Sequence, residues 1–345
     1  MKFIELKKIP ELLDRLAEDA TVWAPQVAPE SNQTVLFCRW QGGEVELDRF
    51  TTMSAKDLVL PATEKLLTYE YKMTGEGEKI EIESVMPEGA NVVFGARACD
   101  AKALTVLDAL FGLEPGEAYN DPQYKARRDN MTVITLACVT ADAACFCSSW
   151  ENGPAEKSGS DLFLYPVEGG YLAEPLTAKG EAVTALGLFG ESDQPLPELA
   201  ETAKIELDGL KDKLLKIFSD MDFWERASEK CISCGYCTYA CPTCYCFNIF
   251  DEMRSERQGD RSRCWDACMF NIYTREASGH NPRPTIAHRY RNRIGHKLSY
   301  YPSRQGEILC TGCGRCIRGC PVGLDIREVL TAAQEREPQA GKAEE

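Results

Sequence analysis

The sequence predicts two domains of different fold class: an α/β or α+β domain over residues 1–225 and a mainly helical, cysteine-rich domain over residues 226–331. Segments of the first domain switch between the two-residue period of strands and the three- to four-residue spacing of helices. Cysteines become dense from residue 231 onward, and a cysteine motif there occurs twice, separated by a long insertion at 242–309. Residues 332–345 are predicted to form a polar tail.

The predicted strands of the first domain are short apolar runs or alternate apolar with polar residues. They cover residues 34–40, 44–50, 79–85, 91–96 and 131–138, and residues 161–167 and 170–176 form a predicted hairpin. Two helices are predicted, one over residues 56–71 and one over residues 98–112, which ends at Gly112. The order of the strands in their sheet does not follow from these patterns.

Two further helices are predicted around the cysteine-rich domain. Residues 211–230 carry apolar side chains at helical spacing and lead into it. Residues 288–297 (HRYRNRIGHK) form a basic helix. We interpret its charges as a solvated face, and docking of an acidic partner or a nucleotide phosphate is the alternative. The histidines are interpreted as structural or surface residues.

Charge and hydropathy exclude several functions. The 345 residues carry a formal net charge of −15 and have a pI near 4.9, whereas nucleic-acid binding requires a basic surface. No apolar run approaches the roughly 20 residues that span a bilayer, and the first residues lack the apolar core of a signal peptide. We therefore expect a cytoplasmic protein that binds neither nucleic acid nor membrane.

The cysteines indicate metal rather than disulfides. The chain has 17 of them, an odd number, and C-x-x-C spacing in a cytoplasmic protein is typical of metal binding. Soft thiolates at fixed geometry are the ligands that iron–sulfur clusters require.

The two copies of the motif, CISCGYCTYACP (231–242) and CTGCGRCIRGCP (310–321), both follow the pattern C-x2-C-x2-C-x3-C-P. In bacterial two-cluster ferredoxins, three cysteines of such a run hold one [4Fe–4S] cluster and the fourth reaches the other cluster. The predicted ligands of the first cluster are Cys231, Cys234, Cys237 and Cys320, and those of the second are Cys310, Cys313, Cys316 and Cys241. A pair of zinc knuckles is the alternative, but zinc gives no reason for the third cysteine or the trailing C-P.

The insertion carries four more cysteines: Cys244, Cys246, Cys264 and Cys268. They could hold another cluster or form a redox-active dithiol. Packing as small buried side chains explains them equally well.

A third group of thiols lies in the first domain. Cys99 follows the predicted strand 91–96, Cys138 ends the predicted strand 131–138, and Cys145 and Cys147 follow in a loop. If the two strands are neighbours, all four thiols meet at the carboxyl edge of one sheet, where α/β proteins place their sites. They could hold a [4Fe–4S] cluster, and the start of the following helix would favour the Cys99 thiolate. Spacing alone leaves buried free thiols as an equal alternative.

Several motifs together resemble a known family. FGARACDAKAL (94–104), YKARRD (124–129), CFCSS (145–149), CPTCYCF (241–247) and RCWDAC (263–268) look like the iron–sulfur beta subunit of cytoplasmic sulfhydrogenases. They are also similar to the corresponding iron–sulfur subunits of anaerobic sulfite reductase and of the flavin oxidoreductases associated with heterodisulfide reductase. The resemblance extends over residues 90–330.

The resemblance implies a subunit that passes electrons between a flavin subunit, which carries FAD and handles NAD(P)H, and a catalytic or further relay subunit. It also implies a third [4Fe–4S] cluster at Cys99, Cys138, Cys145 and Cys147. The family pattern includes cysteines matching Cys244, Cys246 and Cys268, but not Cys264.

The leading hypothesis is therefore a non-catalytic electron-transfer subunit of an anaerobic, NAD(P)H-linked oxidoreductase complex. Sulfite reductase, sulfhydrogenase and heterodisulfide reductase complexes all remain open. A second hypothesis is a cluster-assisted thiol–disulfide reductase that uses the insertion cysteines, which needs an exposed thiol of low pKa. A third, a nucleic-acid protein that uses its clusters structurally, conflicts with the negative net charge.

Overall fold

The computed structural model describes residues 1–75, 77–112, 120–150 and 153–337. Its largest element is an eight-stranded sheet in the order β10-β1-β9-β8-β7-β6-β2-β3. The strands are β1 (Lys2–Glu5), β2 (Thr21–Ala28), β3 (Ser31–Arg39), β6 (Asn91–Arg97), β7 (Met131–Leu136), β8 (Leu162–Val167), β9 (Gly170–Pro175) and β10 (Gly190–Glu191). The four central strands, β8, β7, β6 and β2, run parallel, and the outer pairs are antiparallel.

Helices cover both faces of this sheet. They are α1 (Ile9–Leu16), α2 (Ala98–Phe111), α3 (Pro122–Asp129) and α4 (Ala178–Thr184). Alternate residues of a strand point to opposite faces, so Val92 and Phe94 pack in the core under α1, whereas Val93 packs in the core under α2 and α3. The strands predicted over 91–96 and 131–138, the predicted hairpin and the helix ending at Gly112 are confirmed.

A second, four-stranded antiparallel sheet joins distant parts of the chain, in the order β11-β12-β4-β5. Its strands are β4 (Thr63–Thr74), β5 (Gly77–Ser84), β11 (Phe247–Ser255) and β12 (Gln258–Trp265). The first two come from the N-terminal part and the last two from the insertion between the cysteine runs. The insertion therefore contributes a β-hairpin to a domain predicted as mainly helical.

Two local predictions in this region are wrong. The helix predicted over residues 56–71 is a 3-10 turn at Ala55–Leu58 followed by β4, because Thr68, Tyr69 and Tyr71 favour a strand that β12 and β5 can pair. The strand predicted over residues 44–50 is absent from the described structure, and Val45 and Leu47 instead pack against the core beside α1.

The remaining helices form the cysteine-rich part: α5 (Leu210–Lys216), α6 (Met221–Ser228), α7 (Tyr236–Tyr239), α8 (Ile286–Gly295), α9 (Tyr301–Gln305), α10 (Arg315–Arg318) and α11 (Ile326–Glu335). A π-helical turn at His296–Tyr300 links α8 to α9. The helix predicted over 211–230 is divided into α5 and α6. The predicted tail at 332–345 begins within α11, and its residues 338–345 lie outside the described residues. None of the helices described has the length and apolar character needed to cross a membrane.

Candidate metal centres

The first cysteine run and Cys320 surround one cavity. Cys231, Cys234, Cys237 and Cys320 all line it. Left-handed backbone at Ser233 (φ 57°) and Gly235 (φ 77°) coils the run tightly just before α7. The backbone amide of Ser233 donates to the Cys231 sulfur at 3.4 Å, and that of Leu324 donates to the Cys320 sulfur at 3.3 Å. Such amides stabilise negative charge on sulfur.

The second run encloses the thiol of Cys241. The negative charge of Cys241 acts directly on Cys310, Cys313 and Cys316, so the four thiols lie close together. The Lys297 ammonium donates to the Cys241 sulfur at 3.1 Å. Each run thus contributes its fourth cysteine to the neighbourhood of the other run, as the spacing predicts.

Burial makes these thiols weak acids unless something stabilises the thiolate. It raises the pKa of Cys310 to about 11 and places the pKa of Cys316 above its usual range. Metal binding has to displace these protons, and the binding energy then contributes to folding. Four thiols around one centre are the donor set of a [4Fe–4S] cluster, so both groups fit one. No three His, Cys, Asp or Glu side chains among the described residues converge closely enough to hold a single metal ion.

The N-terminal thiols meet at the edge of the large sheet. β6 and β7 are parallel neighbours, so Cys99, in the first turn of α2, lies beside Cys138, which follows β7. The loop at 145–147 folds back over them. Cys99, Cys138, Cys145 and Cys147 line one cavity, and burial raises the pKa of the Cys147 thiol to about 11. This group also offers four thiols to one centre.

This cavity touches the second cysteine run. Cys313, Arg315 and Arg318 also line it, and the amide of Phe146 donates to the Gly312 carbonyl at 2.9 Å. A Cβ atom on Gly312 would lie 2.5 Å from the Cys147 backbone, and one on Gly314 would lie 2.5 Å from the Ala144 carbonyl oxygen. Only glycine allows the two loops to approach this closely.

The Arg315 guanidinium interacts electrostatically with the N-terminal group of thiols and with the second cysteine run. It is buried and binds both carboxylate oxygens of Asp100, at 2.7 and 2.9 Å. It also donates to the Thr51 hydroxyl at 2.8 Å. Its positive charge acts on Cys313 and on Cys99. Sequence patterns did not single out Arg315, because a basic residue inside a cysteine run gives no sign of its distant partner.

The insertion thiols lie beside the two ferredoxin runs. Cys244 and Cys268 are buried, and Cys246 is half-buried. Cys246 and Cys268 perturb each other's pKa as neighbours, and so do Cys241 and Cys244. Cys264, on β12, has no such thiol contact among those described.

Three buried cations accompany these thiols. Arg293 donates to the Cys244 sulfur at 3.6 Å, and Lys56 donates to the Cys244 carbonyl at 3.0 Å. Lys297 contacts Cys241. Their relative exposures are only 2–4%. The interpretation of the segment 288–297 as a solvated face is therefore wrong for Arg293 and Lys297, and also for Arg289, which is 5% exposed. Lys56 was missed as well, since it falls in the segment predicted as a helix.

Comparison with known proteins agrees with this arrangement. A family model described as a 4Fe-4S dicluster domain matches residues 230–324. The Sulfhydrogenase 2 subunit beta of Pyrococcus furiosus is 30% identical over 351 aligned positions, which cover 97% of this chain and 99% of that protein. No solved structure matches the chain significantly.

Proposed function

The chain belongs to the family of sulfhydrogenase iron–sulfur beta subunits, and we propose that it relays single electrons between a flavin subunit that uses NAD(P)H and a catalytic or further relay subunit. Membership makes it an iron–sulfur electron-transfer subunit of a multi-subunit oxidoreductase. We further propose that the complex is an anaerobic assembly of the sulfhydrogenase, sulfite reductase or heterodisulfide-reductase-linked type, with FAD on the partner.

We propose twelve cysteine ligands for three [4Fe–4S] clusters. When bound, such clusters accept and release one electron at a time. The ligands are Cys231, Cys234, Cys237 and Cys320 for the first, Cys310, Cys313, Cys316 and Cys241 for the second, and Cys99, Cys138, Cys145 and Cys147 for the third. The surrounding residues exclude water and supply backbone amides and cations to the sulfurs.

The contact between Gly312 and the loop at 144–147 carries the proposal. It places the N-terminal group of thiols next to the second ferredoxin group, which shares its runs with the first. The second group therefore adjoins both of the others. The first group reaches the surface, because Cys234 is exposed and Ile232 is 61% exposed. We propose that a partner subunit binds over Cys234 and Ile232.

We also propose a cytoplasmic location, because cysteines that hold clusters are typical of compartments where cellular reductants keep thiols reduced. The sequence has neither a G-x-G-x-x-G nucleotide fingerprint nor a P-loop, which supports placing the flavin and the nicotinamide nucleotide on a partner.

Anaerobic iron and sulfide analysis of the purified chain tests the cluster assignment. Three cubane clusters require about twelve irons per chain. The double variant C145S/C147S should lose about four irons and one low-temperature EPR component, with the ferredoxin signals intact. An unchanged iron content in this variant would show that Cys145 and Cys147 do not hold a third cluster. Zinc in place of iron would exclude the relay altogether.

A further inference from the structure

Lys297 is buried beside a proposed ligand of the second cluster. It is 2% exposed, and its ammonium donates to the Cys241 sulfur at 3.1 Å. The same ammonium donates to the Thr243 hydroxyl at 3.3 Å and to the Leu309 carbonyl at 2.9 Å. Thr243 and Leu309 are themselves 0% and 1% exposed. The contact between the ammonium and the sulfur therefore lies in a site that is closed to bulk water.

The three contacts match the donors of a charged lysine. An ammonium has three N–H donors and no acceptor, and the Lys297 ammonium has one acceptor for each of them. None of these acceptors is a carboxylate, although removing an ammonium from water costs several kcal/mol unless an anion accompanies it. In the proposed assembly the anion is the cluster itself, which the ammonium meets through the Cys241 sulfur.

The backbone of Lys297 is tied to the start of the second cysteine run. The Leu309 amide, directly before Cys310, donates to the Lys297 carbonyl at 2.9 Å. Lys297 also lies in the π-helical turn after α8, and such turns are rare and frequent at functional sites. Lys297 thus connects Cys241, which comes from the first run, with the run whose cluster it completes.

The other sulfurs of the two runs have no such partner. Lys56, the second buried lysine of this region, donates to three backbone carbonyls. In the first group, the sulfurs of Cys231 and Cys320 accept from backbone amides. Among the residues that the structure describes, a fully charged donor meets a sulfur of the two runs only at Cys241. The second group is therefore distinguished from the first by a direct contact with a positive charge.

We propose that Lys297 is a positioning residue that raises the reduction potential of the second cluster through its contact with the Cys241 sulfur. Reduction adds one electron, and so one negative charge, to the cluster, and charge and hydrogen bonds at the sulfurs set the potential. A fixed positive charge in a buried site stabilises the reduced cluster more than the oxidised one. The inference rests on the proposed function and deepens it, because the second group adjoins both of the others and its potential affects each transfer.

An EPR-monitored redox titration of the full chain, purified anaerobically, tests this role. Lys297→Met keeps the length of the side chain and removes its charge, so the midpoint potential of one cluster component should shift to a more negative value. The component that C145S/C147S lacks belongs to the proposed third cluster and should keep its potential.

Lys211→Met is the matched control. The Lys211 carbonyl accepts from the Ser299 hydroxyl of the same π-helical turn at 3.1 Å, but Lys211 is exposed, where water and salt screen its charge. All potentials in this variant should equal those of the wild type. Unchanged potentials in Lys297→Met at the wild-type iron content would overturn the inference and leave the relay untouched. So would equal shifts in both variants. A wild-type chain without the two ferredoxin clusters would instead count against the proposed function.

Lysine labelled with ¹⁵N at Nζ keeps the inference testable if Lys297→Met fails to assemble its clusters. Pulsed EPR of the reduced wild-type chain should detect a coupling between a cluster and a lysine Nζ, because a nitrogen that donates to a ligand sulfur receives unpaired spin density. Lys56 donates only to carbonyls and should not contribute. Absence of the coupling would show that Lys297 does not donate to the cluster and would overturn the inference.

Discussion

At the scale of single residues, the site depends on a few groups whose partners are far away in the sequence. Arg315 belongs to a cysteine run, yet it binds Asp100 at the start of α2 and Thr51 in a loop of the first domain. Gly312 is in the same run and touches the Cys147 backbone. These contacts fix the second cysteine run against the large sheet.

Replacing Arg315 by methionine should destabilise the protein by about 3–5 kcal/mol, because it leaves the Asp100 carboxylate buried without its partner. The measurement is urea unfolding under anaerobic conditions. The double variant R315M/D100N should recover part of the loss, since the unpaired charge is then gone. Equal stability of R315M and wild type would show that the ion pair has no structural role.

Gly312→Ala should impair folding and cluster content far more than Gly323→Ala. Both glycines have a φ of +64°, but the new Cβ would clash only at position 312 and has open space at position 323. The backbone strain common to both costs about 1–2 kcal/mol. Iron content and apparent Tm of the two variants measure the difference. Similar behaviour of the two would mean that the loops can separate without loss.

At the scale of elements, the helix–π-turn segment and the second sheet connect the insertion to the rest of the molecule. The segment from α8 through the π turn points Arg293 and Lys297 inward at the thiols. It also places His296 Nε2 at 3.1 Å from the Tyr245 hydroxyl. The second sheet pairs β12 with β4, with Arg263 directly opposite Glu64.

Acid should destabilise the wild-type protein through His296. Burial, with Lys297 and nearby arginines, lowers the pKa of His296 to about 4. The unfolded chain therefore binds a proton more readily than the folded one between about pH 6.5 and 4, so stability falls as pH falls through this window. The loss at the acid end should be on the order of 3 kcal/mol.

Unfolding of wild type and His296→Gln at pH 7.5 and pH 5 measures this effect. The variant should lose less stability between the two pH values, and His280→Gln, at an exposed position, should behave as wild type. A wild-type pH dependence in His296→Gln would assign the acid sensitivity to other groups.

Glu64→Ala should cost about 1.5–3 kcal/mol, because Arg127 loses its carboxylate partner and the buried Arg263 keeps only Asp121. Asp251→Ala is the matched control from the same sheet, where the partner Arg261 is exposed and the pair is worth about 0–1 kcal/mol. Urea unfolding compares the two variants. If both cost the same, the Glu64 pair does not hold β4 to β12.

At the scale of the whole molecule, two kinds of core stabilise different parts. The core between the large sheet and α1 consists of aliphatic and aromatic side chains such as Ile4, Leu12 and Phe94. The core among α5, α6, α8 and α11 includes Cys268, and further cysteines such as Cys237 and Cys316 pack against it. Cluster chemistry is therefore part of the packing in the second core.

Removing the clusters with an oxidant and a chelator should unfold the second core before the first. Hydrogen exchange followed by mass spectrometry should show lost protection in α8 and α11, with β6 and β7 still protected. Buried thiols without iron lose the metal-binding energy that contributes to folding, whereas the sheet core has no such dependence. Uniform loss of protection would show that the two cores unfold as one unit.

The sequence by itself determined the kind of chemistry, which is the binding of iron–sulfur clusters by cysteine. The repeated cysteine runs identified the ferredoxin-like part and predicted which cysteines come together, because the ligand spacing of a cluster is local and rigid. The strands 91–96 and 131–138 were predictable from their apolar runs, and with them the position of Cys99 and Cys138. Buried parallel strands carry this signal in their own residues.

Only the tertiary structure decided how these parts are joined. β4 is a strand because its Thr and Tyr residues favour one and because β12, nearly 200 residues away, pairs with it. The apolar spacing of the segment did not reveal that distant partner. The basic residues Arg293 and Lys297 are buried because sulfurs surround them. The environment of a charge depends on its neighbours in space, and neighbours that come from distant segments leave no periodic signal in the sequence.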